Sequence, residues 1–223
     1  MDIFSYLLGK NSSSGGGASY FNWEDIGYSS PPQFIVDEIA PQYNYAKEIK
    51  DNWDSTQTDL SLKFSKDTKL TIMPLVDTSN AVNMTSMFNQ CSNLKSIPLL
   101  NTANVTNMYS MFNQCTSLVS VPAFNMENVT ETYTMFARCS NLVDVPVFNL
   151  KNVTNIYNMY TGCSKLSDDS LDNILQSCIG MTLYSGTKTL ARMGFTSGYY
   201  PVSRIEVLPH YQDFINAGWT IGY

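Results

Sequence analysis

The stretch NMYSMFNQC, residues 107–115, decides how this chain is read. Nearly the same phrase stands at 83–91 (NMTSMFNQC), 131–139 (ETYTMFARC) and 155–163 (NIYNMYTGC), so it returns every 24 residues without insertion or deletion. A fixed period of this length is the signature of an architecture built from stacked repeats. Aligned on the period, whole columns appear: Met87, Met111, Met135 and Met159; Phe88, Phe112, Phe136 and Tyr160; Cys91, Cys115, Cys139 and Cys163; Leu94, Leu118, Leu142 and Leu166. Pro98, Pro122 and Pro146 extend back to Pro74, and Leu70 joins the leucine column, so the array begins near residue 60.

Within one unit, Met108, Met111, Phe112 and Cys115 fall at i, i+3, i+4 and i+7, the spacing of one helical face. This predicts a short helix per unit, with the methionine, aromatic and cysteine columns as core. TSLVSVP, residues 116–122, is rich in β-branched and apolar residues and is stopped by Pro122, which predicts a short strand. FNMENVT supplies turn residues around Val129, whose column holds Ala81, Val105 and Val153. A unit this small cannot bury its own apolar face, whereas stacked copies share a continuous core. The expectation is a right-handed α/β repeat solenoid of 24-residue units, each a short strand plus a short helix.

The phrase NVTNMYSMFNQCTSLVSVP resembles the BspA-like, DUF285-type leucine-rich repeat, whose units carry an NVTNM segment followed by MF..C..L. The resemblance covers about residues 60–178. Members occur in bacterial and protozoan surface proteins and in phages of gut bacteria. The resemblance implies a leucine-rich-repeat-like fold and a role in binding rather than catalysis. Leucine occupies fewer positions here than in a typical leucine-rich repeat.

The flanks complete the domain plan. Residues 1–10 contain an apolar peptide with Ile3, Phe4, Tyr6, Leu7 and Leu8, and residues 11–17, NSSSGGG, have linker composition. Residues 18–58 are expected to form a helical N-terminal cap, starting at Ser30 and Pro31 and kinked or interrupted by Pro41. The solenoid occupies 59–166. Residues 167–223 form the C-terminal cap, with Asp168 or Asp169 as helix N-cap, Leu171, Ile174, Leu175 and Cys178 on one face, and further short helices closed by Gly194 and Gly218.

Composition narrows the chemistry. The chain has 223 residues, 43% of them hydrophobic and only 14% charged, with a formal net charge of −6, and no Lys/Arg cluster offers a phosphate-binding surface. No nucleic-acid partner is expected. The N-terminus carries Asp2 in place of a basic region and lacks a small-x-small cleavage site, so it is not read as an export signal, and no stretch approaches the ~18–20 apolar residues of a membrane span. The five cysteines are expected as reduced, buried thiols. There is no C-x-x-C, and His210 is the single histidine, so no metal site and no cofactor are expected. His210 has no nucleophile motif beside it, and the Asp168–Asp169 pair reads as helix capping rather than as a glycosidase pair. SSSGGG lacks the lysine of a phosphate loop. The expectation is a protein that is not an enzyme. Asn83, Asn104, Asn128 and Asn152 begin Asn-x-Ser/Thr triplets, which read as asparagines capping their own turns rather than as glycosylation sites.

Tyr109, Tyr133 and Tyr157 form a column next to the buried stripe and are the candidate binding ladder, since tyrosine combines an apolar ring with a hydrogen-bonding tip suited to glycan or protein contacts. The apolar start, the serine/glycine run, the NVTNM repeats and the AGWTIGY ending look like virion-associated proteins of phages infecting gut bacteria. The functional expectation is a phage virion protein at the particle surface, in multiple copies. Its N-terminal peptide would anchor it to other virion proteins, and its solenoid would attach to a host-surface glycan or protein. The alternatives are an architectural capsid-decoration or tail-joining subunit, and an adhesin of the bacterial cell surface.

Overall fold

The computed structural model describes residues 39–181, 188–196 and 198–222. The candidate anchor Ile3, Phe4, Tyr6, Leu7 and Leu8, the linker at 11–17 and the helix start expected at Ser30 and Pro31 lie outside the described residues.

From residue 59 onward the chain coils in rungs of 24 residues. Parallel bridges join Asp59 to Asn83, Asn83 to Asn107, Asn107 to Glu131 and Glu131 to Asn155, and a second series joins Ile72 to Ser96 and Ser120 to Asp144. Among the described residues no α-helix and no continuous strand falls between 59 and 166, so the expected unit of strand plus helix is corrected to turns and single bridges. The segment read as a helix is a run of tandem β-turns. Met87 N–H donates to the Met84 carbonyl at 3.2 Å and Cys91 N–H to that of Phe88 at 3.0 Å. The third residue of each turn is left-handed, Ser86 at φ 54° and Gln90 at φ 64°. Ser110 and Gln114, Thr134 and Arg138, and Asn158 and Gly162 repeat the pattern in the following rungs. A residue in that region at every fourth position is incompatible with a right-handed helix and is what a type II turn requires.

The N–H groups that do not close turns explain why this conformation wins. Met84, Ser86, Phe88 and Gln90 donate to the carbonyls of Asn107, Tyr109, Met111 and Asn113 in the next rung, at 2.7–2.9 Å. A helix would have used those groups internally; the turns give them to the neighbour, which ties the rungs together. Left-handed geometry costs roughly 1–2 kcal/mol per non-glycine residue, a cost set against this ladder and a continuous core. The burial pattern itself is that of the sequence columns: the Met, Phe/Tyr, Cys and Leu columns from Met87 to Leu166 are all buried. Phe64, Phe88, Phe112, Phe136 and Tyr160 stack in one line at centroid spacings of 5.3–5.6 Å.

Polar side chains bind rung to rung as well. Asn104, Asn128 and Asn152 donate through Nδ2 to the carbonyls of Ser79, Ala103 and Glu127, 25 residues earlier, at 2.7–2.8 Å. The expectation that these asparagines cap their own turns is therefore corrected. Asn83 does so, accepting from Thr85 N–H at 3.0 Å. Each column thiol donates to a carbonyl in the preceding rung: Cys91 to Phe64, Cys115 to Phe88, Cys139 to Phe112 and Cys163 to Phe136, at 2.9–3.0 Å.

Helix α1, Ile39–Asp51, packs beside the first rungs through buried Tyr43 and Ala46. Pro41 stands in the first described turn of this helix, and the stretch from Ser30 that it was expected to kink or interrupt lies outside the described residues. Trp53 follows, stacking on Phe64 at 6.3 Å and donating to the Asp77 carbonyl at 2.7 Å. At the other end lie α2 (Asp168–Ile179), a 3-10 turn (Leu190–Met193), α3 (Val202–Ile205) and α4 (Tyr211–Asn216). The N-cap of α2 is Ser167, whose hydroxyl accepts from Ser170 N–H at 3.1 Å, and not Asp168 or Asp169. The two aspartates occupy the first turn, favourable to the helix dipole, and Asp168 is 2.6 Å from Arg204 on α3. The 3-10 turn acts as an extra rung: Asn158 and Tyr160 donate to the carbonyls of Arg192 and Met193 at 2.6 and 2.7 Å.

All five cysteines are free and buried. Burial pushes the thiols of Cys91 and Cys163 up to about 12 from 9.0, and those of Cys115, Cys139 and Cys178 upward as well. A thiol neutral in the fold but ionised when unfolded contributes stability that is complete below the unfolded value and is lost as pH rises toward the folded one. The melting temperature is therefore expected to hold between about pH 6 and 8 and to fall above about pH 9. Iodoacetamide should label these cysteines only after unfolding, as mass spectrometry would report. Fast labelling of the native chain, or an inter-rung disulfide, would contradict both expectations.

Candidate functional site

Tyr109, Tyr133 and Tyr157 stand two residues past the bridge positions Asn107, Glu131 and Asn155, at the start of each tandem turn. Each local turn is fastened by the side chain at the bridge position. Asn107 and Asn155 accept the tyrosine N–H through Oδ1 at 2.9 and 3.2 Å, and Glu131 does so through Oε1 at 2.9 Å. Because successive rungs superpose, the rings stack: Tyr109 on Tyr133 at 5.2 Å and 8°, Tyr133 on Tyr157 at 5.8 Å and 18°. Tyr109 is 39% exposed and Tyr157 47%. Their hydroxyls make no hydrogen bond among the described residues, in contrast to the asparagine and threonine columns, whose polar atoms are engaged between rungs.

The stacking has a chemical consequence. Each ring covers its neighbour's face, so a sugar cannot lie flat on the middle ring; the ladder presents ring edges and phenolic hydroxyls. Ring edges carry the positive part of the aromatic quadrupole and the hydroxyls donate, which favours contact with acceptor groups. A second exposed column runs through Leu75, Leu99 and Val147, each following a proline of the Pro74 column.

The remaining chemistry-bearing groups lie elsewhere. His210 pairs with Asp172 on α2, through Nδ1 to Oδ2 at 2.6 Å and through its backbone N–H to Oδ1 at 2.8 Å. Its Nε2 faces the Gln176 amide at 3.3 Å, so no nucleophile stands there, and the pair fastens α4 to α2. Among the described residues no group of His, Cys, Asp and Glu could hold a metal ion, and no helix is long and apolar enough to cross a membrane. A groove of about 520 Å³ lies between α1 and the first rungs, lined in part by Tyr45, Lys69, Thr71 and Asn93.

One residue of the ladder escapes the sequence pattern. The carbonyls of Tyr109, Tyr133 and Tyr157 accept from Ser86, Ser110 and Thr134 N–H, and in the next step Asn158 N–H donates to Arg192. The Arg192 carbonyl thus takes the fourth position of this backbone ladder, although 35 residues separate it from Tyr157 and no period in the sequence points to it.

A family model described as "Mycoplasma protein of unknown function, DUF285" matches residues 58–174. Among solved structures, the crystal structure of the T. pallidum leucine-rich-repeat protein TpLRR is similar at 19% identity and a TM-score of 0.35, over 58% of this chain and 53% of that one. The chain spans about half the length of that protein. No curated protein matches the chain significantly. With more than half of its residues matched, the chain belongs to the DUF285 family, as the NVTNM and MF..C..L phrases implied.

Proposed function

We propose that this member of the DUF285 family is a non-catalytic binding module that meets its partner through the Tyr109–Tyr133–Tyr157 ladder. The observation that carries the reading is the contrast between these tyrosines, exposed at Tyr109 and Tyr157, half-buried at Tyr133 and without hydroxyl hydrogen bonds among the described residues, and neighbouring columns whose polar atoms are engaged in holding the rungs together. Stacked tyrosines give a rigid aromatic surface at low entropic cost, a property enriched at interfaces. The single histidine, facing a glutamine amide, supports a role without catalysis. In the fuller form of the proposal the module is displayed on a phage particle, held there by residues 1–10 and directed at the host surface; the composition of residues 1–17 supports this part.

The test uses particles assembled with the wild-type chain, with residues 1–17 deleted, or with Tyr109, Tyr133 and Tyr157 all replaced by alanine. The deletion is expected to remove the chain from purified particles without changing the melting temperature of the folded body. The triple variant should still be incorporated but should adsorb to host cells less than a tenth as well, the loss of a few contacts of ~1 kcal/mol each. Equal incorporation of the deleted form would refute the anchor. Unchanged adsorption by the triple variant would refute the ladder, and recovery of the chain in the bacterial envelope would favour a cell-surface adhesin.

A further inference from the structure

The bridge column beside the tyrosines changes character at one rung. Asp59, Asn83, Asn107, Glu131 and Asn155 occupy it, and each places a side-chain oxygen on the N–H two residues ahead. Asn107 and Asn155 fasten the turns of Tyr109 and Tyr157 with an amide, so the turn of Tyr133 does not need a carboxylate. Glu131 puts one there. Its Oε1 accepts from Tyr133 N–H at 2.9 Å and its Oε2 from Asn155 Nδ2 at 3.2 Å. Both donors are neutral, and Glu131 makes no ion pair among the described residues. A carboxylate offers about four lone-pair sites, so acceptor capacity remains beside the ring. Half-buried there, the charge is screened less than a fully exposed one.

We propose, on the premise that the tyrosine ladder is the interaction surface, that the ladder binds an extended polypeptide carrying a lysine or arginine, its cation at Glu131 and its backbone carbonyls on the tyrosine hydroxyls. A cation cannot lie over the face of Tyr133, which Tyr109 and Tyr157 cover on either side, so the carboxylate is the group that holds it. The same stacking removes the flat contact a sugar would use and leaves hydroxyl donors, for which peptide carbonyls are matching acceptors. The two ring-to-ring steps, 5.2 and 5.8 Å, are spanned by roughly three to four residues of extended chain at ~3.3 Å each. This chain does not itself supply such an occupant. Residues 1–38 hold Asp2, Glu24, Asp25, Asp37 and Glu38 against Lys10 alone, and a second copy brings the same net charge of −6. A basic partner, by contrast, is drawn in by the acidic chain and oriented by the carboxylate beside the row.

The experiment is a selection of random decapeptides against the full chain, followed by binding measurements on the selected peptides with four proteins: wild type, Glu131→Gln, Tyr133→Ala and Glu206→Gln. Glutamine at 131 keeps an oxygen for Tyr133 N–H and removes only the charge. Glu206 is an exposed glutamate at the end of α3, and its variant controls for net charge. Peptides with Lys or Arg enriched at one position are expected. Glu131→Gln and Tyr133→Ala should bind them about tenfold more weakly, as loss of a charge-assisted hydrogen bond gives, and Glu206→Gln as well as wild type. Added salt should weaken binding to wild type more than to Glu131→Gln. Melting curves of the variants confirm that each is folded. A panel of neutral, uronic-acid and amino-sugar oligosaccharides is run in parallel. Oligosaccharide binding that Tyr133→Ala abolishes, without any selected peptide, would overturn the choice of partner while leaving the ladder intact. Selected peptides without basic enrichment, or basic peptides that Glu131→Gln binds as well as wild type, would overturn the role of Glu131 while leaving the ladder intact. No ligand sensitive to Tyr133→Ala would overturn the ladder itself.

Discussion

Met111→Asp is expected to abolish cooperative folding of the array. Met111 is fully buried in the second of the four strongest repeats, with a stacked aromatic line running through adjacent Phe112 to Phe88 and Phe136 at 5.3 and 5.6 Å. Loss of a buried methionine side chain costs roughly 2–5 kcal/mol, and an unpaired polar group in its place adds several more. Domains of this size have about 5–15 kcal/mol in total, so the substitution removes most or all of it. The Met111 carbonyl also accepts from Phe88 N–H at 2.9 Å, so displacing the residue loosens the rung before it as well as its own. Met111→Leu is the comparison: it preserves volume and polarity and should cost less than about 1.5 kcal/mol. Thermal melting followed by circular dichroism decides the matter, and an aspartate variant melting within about a degree of the parent would mean that the methionine column is not core.

What the sequence made legible and what it hid follow from one fact about the rungs. Burial repeats because every rung meets the same neighbours, so the Met, Phe, Cys and Leu columns could be read from their period alone. Backbone conformation could not, because tandem turns that close from i to i+3 bring side chains inward at nearly the spacing of a helix. The left-handed positions that distinguish the two are filled by Ser86, Gln90, Ser110, Gln114, Thr134, Arg138 and Asn158, none of them glycine. Only Gly162, at φ 77° in the column of Gln90, Gln114 and Arg138, carried a hint, and a single glycine at the end of a repeat is easily read as a helix stop. The asparagine ladder was hidden for a similar reason: an Asn-x-Thr triplet looks like a local cap, while Asn104, Asn128 and Asn152 reach back a full rung. Arg192 was hidden more deeply, since the chain leaves the period after Cys163 and passes through α2 before the 3-10 turn resumes the ladder.

That return makes the far end of the array sensitive to one glycine. Gly194 closes the 3-10 turn at φ 86°, and a Cβ there would lie 1.9 Å from Thr161 Oγ1 and 2.7 Å from both Thr161 Cα and N. Gly194→Ala therefore combines a left-handed strain of roughly 1–2 kcal/mol with an overlap that only separation of the two backbones relieves. Separation breaks the hydrogen bonds from Asn158 and Tyr160 to Arg192 and Met193 and draws Met193 Sδ from Cys178 Sγ, now 3.7 Å away. Repeat arrays are held by nearest-neighbour contacts, so the damage should begin at this end and spread inward. The expected result is a lower melting temperature together with selective iodoacetamide labelling of Cys163 and Cys178 under native conditions, while Cys91 and Cys115, two or more rungs away, stay protected. Gly180→Ala is the control, at φ −85° with nothing within 4 Å of its added Cβ, and should leave both readouts unchanged. Equal labelling of all five cysteines would mean that the array and its cap open as one unit. An unchanged melting temperature would mean that Leu190–Met193 does not seal the last rung.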